Sequence, residues 1–237
     1  MAIPSTLKPF ARLAWKPLVI EGDGTLTDAK FSGQPWLADG ESYPCCANCG
    51  KPMQLFLQLN LDTLPEPIQG QYGTGLLQLF YCTSEIPLCE VDCEAFSPFA
   101  KSVLTRLVQP TQKHNSVNPV PLSDPFPAKT IVGWEEMVDY PNPEEGTDLG
   151  IELSDEEWDE VITEGSVPRS EDKLAGYPLW IQGIEYPDCP DCGQPMRLVF
   201  QLDSEDHLPY MFGDVGCGHI TQCPEHKHQL AFAWACG

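Results

Sequence analysis

One cysteine knuckle occurs twice in the same setting, 143 residues apart: Tyr43-Pro44-Cys45-Cys46-Ala47-Asn48-Cys49-Gly50-Lys51-Pro52-Met53 and Tyr186-Pro187-Asp188-Cys189-Pro190-Asp191-Cys192-Gly193-Gln194-Pro195-Met196. In a gap-free overlay of Lys30 to Leu59 on Lys173 to Leu202, 14 of 30 positions are identical, including Lys30, Gly33, Pro35, Tyr43, Cys46, Cys49, Met53 and Gln58. Ordinary composition would give about two. The spacing predicts an internally duplicated, pseudo-twofold β-rich α+β architecture, each half a set of antiparallel strands with a zinc knuckle.

Zinc in a structural site takes four ligands at tetrahedral corners, and C-x-x-C lets one tight turn supply two of them. The glycine after each pair, Gly50 and Gly193, suits the left-handed turn such a knuckle needs. In the second copy Cys223-Pro224-Glu225-His226 offers the other two, so Cys189, Cys192, Cys223 and His226 form the expected site, with His228 as the competitor of His226. In the first copy Cys46, Cys49, Cys82 and Cys89 make a four-cysteine site, with Cys93 as the substitute for Cys89. Four ligands leave no open position for water, so both ions would be structural. The redox reading of C-x-x-C fits less well, because the pair lies between Pro-rich turns and a strand rather than opening a helix. Cys45, Cys217 and Cys236 are left over and read as small buried hydrophobes.

The strands follow from short apolar runs bounded by Gly and Pro: Gln54 to Leu61, Gly75 to Cys82, Arg197 to Asp203, Gly216 to Cys223, and Leu230 to Trp234. With 24 prolines and 19 glycines in 237 residues, long helices are not expected. One short helix is predicted where Ser154 and Glu157 form a capping box ahead of Trp158, Val161 and Ile162. The organisation expected is a first repeat over 1–128, an acidic connector with that helix over 129–172, and a second repeat over 173–237, both repeats sharing one compact unit.

A net charge of −22, from 35 acidic against 13 basic residues, would repel phosphate backbones, so nucleic acid is a poor partner and a basic protein or peptide a better one. Thirteen acidic and no basic residues lie between Thr130 and Pro168. That run reads as a solvated connector or as a docking strip for the basic partner; Trp134, Tyr140 and Trp158 within it argue against disorder. No apolar run is long enough to span a membrane and the opening residues show no secretory signal, so the expected location is cytoplasmic, where 11 cysteines stay as thiols.

No catalytic constellation assembles. Gly70 to Gly75 lacks the Lys-Ser/Thr ending of a phosphate loop, while His114 and His207 read as loop residues and His219 as a packed strand residue. Gln58 and Gln201 read as a matched pair of buried amides bonding loop backbones across the pseudo-symmetric centre. An enzyme with a cleft between the repeats would need titratable side chains that the sequence does not bring together.

The stretch Lys30 to Leu37, Tyr43-Pro44, the cysteine knuckle, Met53 to Leu61 and Leu77 to Cys82 resembles the YwqG-like family of bacterial proteins of unknown function. Trp134-Glu135, Asp139-Tyr140-Pro141, Lys173 to Pro178, Gly213-Asp214 and Cys223 to His226 extend the likeness over nearly the whole chain from Pro17 onward. Many members lack some of the cysteines. The cysteine and Gly-x-Pro motifs are also similar to those of the programmed-cell-death-protein-2 group, whose members act as acidic chaperones or adaptors in small-ribosomal-subunit assembly. The resemblance implies a β-rich, duplicated binding module without catalysis, and, from relatives beside contact-dependent toxin systems, an alternative role as an immunity protein.

Overall fold

The structure, a computed structural model, describes residues 3–115, 119–163 and 168–237. The opening Met1-Ala2 and Glu164 of the acidic run lie outside the described residues. A 3-10 turn at Lys8–Phe10 leads into β1 (Arg12–Glu21). Short strands β2 (Lys30–Phe31) and β3 (Leu37–Ala38) precede the hairpin of β4 (Gln54–Asn60) and β5 (Leu76–Tyr81). A one-turn helix α1 (Cys89–Asp92), β6 (Val103–Val108), β7 (His114–Asn115) and β8 (Lys129–Asp139) follow. Helices α2 (Pro143–Asp148) and α3 (Asp155–Thr163) then give way to β9 (Lys173–Ala175), β10 (Arg197–Asp203), β11 (Cys217–Gln222) and β12 (Leu230–Ala235).

Among the described residues, ten strands form one antiparallel sheet in the order β12-β11-β10-β9-β1-β8-β2-β4-β5-β6, and β3 pairs with β7 apart from it. The sheet curls until its two ends nearly meet. Thr105 Oγ1 on β6 donates to the Leu230 carbonyl of β12 at 3.1 Å, and Trp234 N donates to the Phe96 carbonyl at 3.1 Å. Curling encloses an aromatic core drawn from both ends of the chain: Phe56 and Tyr81 meet Tyr210, Phe212 and Phe232 at centroid separations of 5.0 to 6.3 Å. Hence β4, β5 and β11 are buried along nearly all their length and show no alternation of polar and apolar residues.

Lys129–Asp139 departs from the connector expected of it. It is β8, one of the two longest strands, paired with β1 from Arg12↔Asp139 to Glu21↔Lys129. Its Glu135 and Glu136 stay exposed while Thr130, Ile131 and Asp139 turn inward. Helix α3 forms as its capping box requires: Ser154 N donates to Glu157 Oε2 at 2.8 Å and Glu157 N to Ser154 Oγ at 3.2 Å. Trp158 and Val161 are buried with Leu7, Tyr140 and Ile151, whereas Ile162 remains exposed.

Gln58 and Gln201 organise equivalent loops, each within its own end of the sheet and not across a centre. Gln58 Nε2 donates to the carbonyls of Leu26 and Asp28, and its Oε1 accepts from Trp36 N. Gln201 does the same to Arg169, Glu171 and Leu179, each 143 residues on. Both amides are fully buried. Gln201→Leu would strand two carbonyls and an N–H, so we expect it to lower stability by about 2–4 kcal/mol, measured as a shift in urea midpoint.

Two buried lysines recur with them. Lys30 Nζ meets Asp23 at 2.7 Å, and Asp23 also accepts from Gln34 N; Lys173 Nζ meets Asp139 at 2.8 Å, and Asp139 also accepts from Tyr177 N. Beside each pair the backbone turns left-handed twice, at Ser32-Gly33 (φ 57° and 82°) and Ala175-Gly176 (φ 60° and 78°). A Cβ on Gly33 or Gly176 would come within 2.3 or 2.5 Å of the same carboxylates, so glycine is obligatory there.

Candidate metal centres

Each knuckle is a tight turn held by three backbone bonds. In the first, Cys46 N donates to the Lys51 carbonyl, Gly50 N to Cys46, and Met53 N to Pro44; in the second, Cys189 N donates to Gln194, Gly193 N to Cys189, and Met196 N to Pro187. Gly50 and Gly193 take φ of 72° and 67°. The turn aims both thiols of each pair at the strand end across the hairpin, Cys82 after β5 and Cys223 after β11.

The remaining ligand comes from different devices. After Cys82 the chain detours, and α1 brings Cys89 back to the cluster; after Cys223 a short turn presents His226, whose N–H donates to Cys223 Sγ at 3.2 Å. In each set of four, the ligating atoms all lie within 4.8 Å of one another. The measured edges are 3.9 Å for Cys46–Cys89, 3.7 Å for Cys49–Cys82, 3.7 Å for Cys192–Cys223, and 3.8 and 3.7 Å from His226 Nδ1 to Cys189 and Cys223. A tetrahedral zinc with Zn–S near 2.3 Å requires sulfur–sulfur edges of about 3.8 Å. Eight donors therefore stand where two ions would place them.

Cys93 and His228 stay outside. Cys93 caps the end of α1, and His228 pairs with Asp191 at 3.0 Å. Asn48 Nδ2 donates to Cys89 Sγ at 3.4 Å. All 11 cysteines are free thiols. Cys217 is buried as expected, but Cys45 is exposed and Cys236 half-buried, because each lies beside a strand or knuckle rather than within the core.

The thiols cannot all ionise unaided. Burial pushes Cys89 up to about 11, whereas at Cys223 the push of burial is outweighed by the N–H groups of His226 and Glu225, bringing it down to about 6. A dication would supply the counter-charge that such a cluster lacks.

His219 is buried against Trp180 and held neutral, its pKa lowered to about 3 by burial and then by the Lys173 cation. Asp172, Asp206 and His207 form a third cluster, in which Asp172 takes His207 Nδ1 at 2.8 Å and the N–H groups of Asp203 and His207. From sequence, His207 after Glu205-Asp206 read as a solvated turn, but the ring is buried, and Asp172, 35 residues away, was not foreseen as its partner.

Asp203, half-buried beside this cluster, has its pKa raised to about 6 by burial and by the charges of Asp172, Asp206 and Glu171. A raised carboxylate contributes stability that is fully present below about pH 4 and is lost as pH rises through about 6. Asp203→Asn should thus stabilise the protein at pH 8 by about 1 kcal/mol after discounting for solvent exposure, with about half that gain at pH 5. Urea midpoints at the two pH values test this, and a gain that grows on acidification would contradict the sign.

The fold and its clusters define a β-rich protein with two closed, cysteine-rich, four-ligand sites, each able to hold a metal ion. The chain belongs to the family described as domain of unknown function (DUF1963), whose family model matches residues 29–235. It is also similar to the uncharacterized protein YpfL of Salmonella typhimurium (strain LT2), with 42% identity over 40 residues. That alignment covers 17% of this chain and 9% of the relative. Among the described residues, no helix is long and apolar enough to cross a membrane.

Proposed function

We propose that this chain is an internally duplicated, non-enzymatic binding module, held together by two structural zinc ions and engaging a basic protein partner through its acidic surface in the cytoplasm. The observation that carries the reading is the pair of closed clusters: four protein ligands each, with edges matching a tetrahedral ion and no position left for substrate. Zinc suits three or four thiolates with imidazole, and eleven free thiols suit a reducing compartment.

Duplication is supported by bonds that recur at a fixed offset and by the symmetric strand order. In this reading β1 corresponds to β8, so the second unit begins near Lys129 rather than at Lys173, with α2 and α3 inserted between its first two strands. Asp139 then corresponds to Asp23, each closing the loop beyond its strand.

The basic partner is supported by the net charge and by the exposed Glu152, Asp155, Glu156, Glu157, Asp159 and Glu160 on and before α3. The test has two arms. Elemental analysis of protein purified without a metal-affinity column should give two zinc ions per chain, and one in Cys46→Ser or Cys189→Ser. Captured partners should be basic and released as salt rises toward 0.5 M. Absence of metal would remove the structural reading; a neutral, salt-insensitive partner would remove the electrostatic one.

A further inference from the structure

At the first end of the sheet, the groove between β2, β4 and the knuckle is filled by the chain itself. The Pro-rich stretch Pro119 to Pro127, leading into β8, lies in it. Gln54 Nε2 donates to the Asp124 carbonyl at 2.7 Å, Gln54 Oε1 accepts from Phe126 N at 3.3 Å, and Ser32 Oγ donates to the Phe126 carbonyl at 2.9 Å. Val120 packs against the cluster of Tyr43, Met53 and Leu55.

Moved on by 143 residues, these groove residues become Ala175, Gly176, Tyr186, Met196, Arg197 and Leu198. All of them line a cavity of about 810 Å³. No described segment of the chain fills it. The stretch leading into β1 turns away through the 3-10 turn at Lys8–Phe10, where Tyr177 OH holds the Phe10 carbonyl at 2.8 Å and Leu7 is buried with Tyr140, Ile151 and the α3 residues Trp158 and Val161.

The open groove differs in charge from the filled one. Arg197 stands in place of Gln54, and Arg12 joins it, its guanidinium stacked 3.8 Å over the Tyr177 ring. Neither arginine is ion-paired with a carboxylate among the described residues. Two acidic groups share the wall: Glu145, whose carboxylate accepts from Tyr186 OH and Trp180 Nε1, and Glu225 beside the second metal centre.

We propose that this groove binds an extended, acidic, proline-containing peptide segment of another protein. The filled groove shows the kind of chain that fits. The replacement defines the change in chemistry: Gln54 both donates to and accepts from the backbone of its occupant, whereas arginine only donates. An occupant at Arg197 must therefore offer carbonyl or carboxylate oxygens and should carry proline where Phe126 presents its N–H, or that N–H is left unpaired. A carboxylate on the occupant would pair with the two guanidiniums.

The inference rests on the correspondence of the two halves, but its test is independent of the metal content. A fluorescein-labelled nonapeptide with the sequence of residues 119–127 is titrated into the full metal-loaded chain, followed by anisotropy, beside the same peptide with Phe126→Pro and one with Asp124→Asn. Saturable binding is expected, tightened by the proline substitution and weakened about fivefold by loss of the carboxylate. Arg197→Glu and Arg12→Ala should each weaken it at least tenfold with unchanged circular dichroism. No binding up to millimolar peptide, or binding indifferent to both arginine substitutions, overturns the proposal. Two zinc ions found alongside such a failure would leave the metal reading standing.

Discussion

Cys46→Ser is expected to remove one metal ion and to lower the melting temperature by about 10 °C, the larger effect of the two knuckles. Breaking a buried charged site costs about 3–5 kcal/mol, and a chain of this size loses about 2–4 °C per kcal/mol. The structure says where the damage travels. Cys89 sits at the start of α1, and the next residue, Glu90, accepts from the hydroxyls of Tyr81 on β5 and Tyr210 in the loop between β10 and β11. Farther on, the Phe96 carbonyl receives Trp234 N, and Trp234 Nε1 donates to Tyr81 OH at 3.0 Å. Releasing Cys89 from its cluster should free this whole detour and loosen the closure of β6 against β12. Tryptophan emission should shift to the red before global unfolding.

Cys189→Ser, in contrast, should cost about half as much. The second knuckle borders a small apolar cluster of Cys189, Met196, Cys223 and Ala231, and its ligand turn carries nothing comparable to α1. Thermal melts with parallel metal analysis decide the matter. Melting temperatures unchanged in both variants, with both ions lost, would show that the clusters bind metal without contributing to the fold.

The parts of this architecture that the sequence made legible are those fixed by local geometry. A knuckle needs cysteines two apart and a glycine after them, a hairpin needs apolar runs bounded by turns, and a capping box needs Ser154 and Glu157 three residues apart. All of these are short-range demands. The strand at β8 was hidden because its exposed Glu135 and Glu136 made the segment look like the acidic run that follows it. Gln58 and Gln201 were marked as paired, but recurrence alone could not say whether each bonds its own loops or the other's. His226 was preferred to His228 from its place before the closing strand, and the turn sets its Nδ1 3.7 Å from Cys223 Sγ. The open groove could not be read at all, since Arg12 and Arg197 come to line one cavity only when β1 and β10 are brought to either side of β9.

The remaining large effect concerns Asp139, which no local pattern singles out. Its carboxylate is fully buried, takes Lys173 Nζ at 2.8 Å, and accepts from the N–H groups of Tyr177 and Tyr140. Lys173 is equally buried, and burial lowers its pKa, so the ammonium depends on this carboxylate, its one hydrogen-bond partner among the described residues. Asp139→Ala would leave an uncompensated cation beside a loop that has lost its anchor, at a cost of about 3–5 kcal/mol. Lys173→Met should cost a similar amount by stranding the carboxylate. The double variant Asp139→Asn with Lys173→Met is the informative one. Asparagine keeps an acceptor for Tyr177 N, and methionine fills the volume of the lysine stem without charge, so the pair should recover at least half of the loss of either single change. Urea unfolding of the wild type, Asp139→Asn, Lys173→Met and the double variant gives the coupling directly. Strict additivity would mean that Asp139 and Lys173 act separately, and that the carboxylate serves the Ala175-Gly176 turn alone.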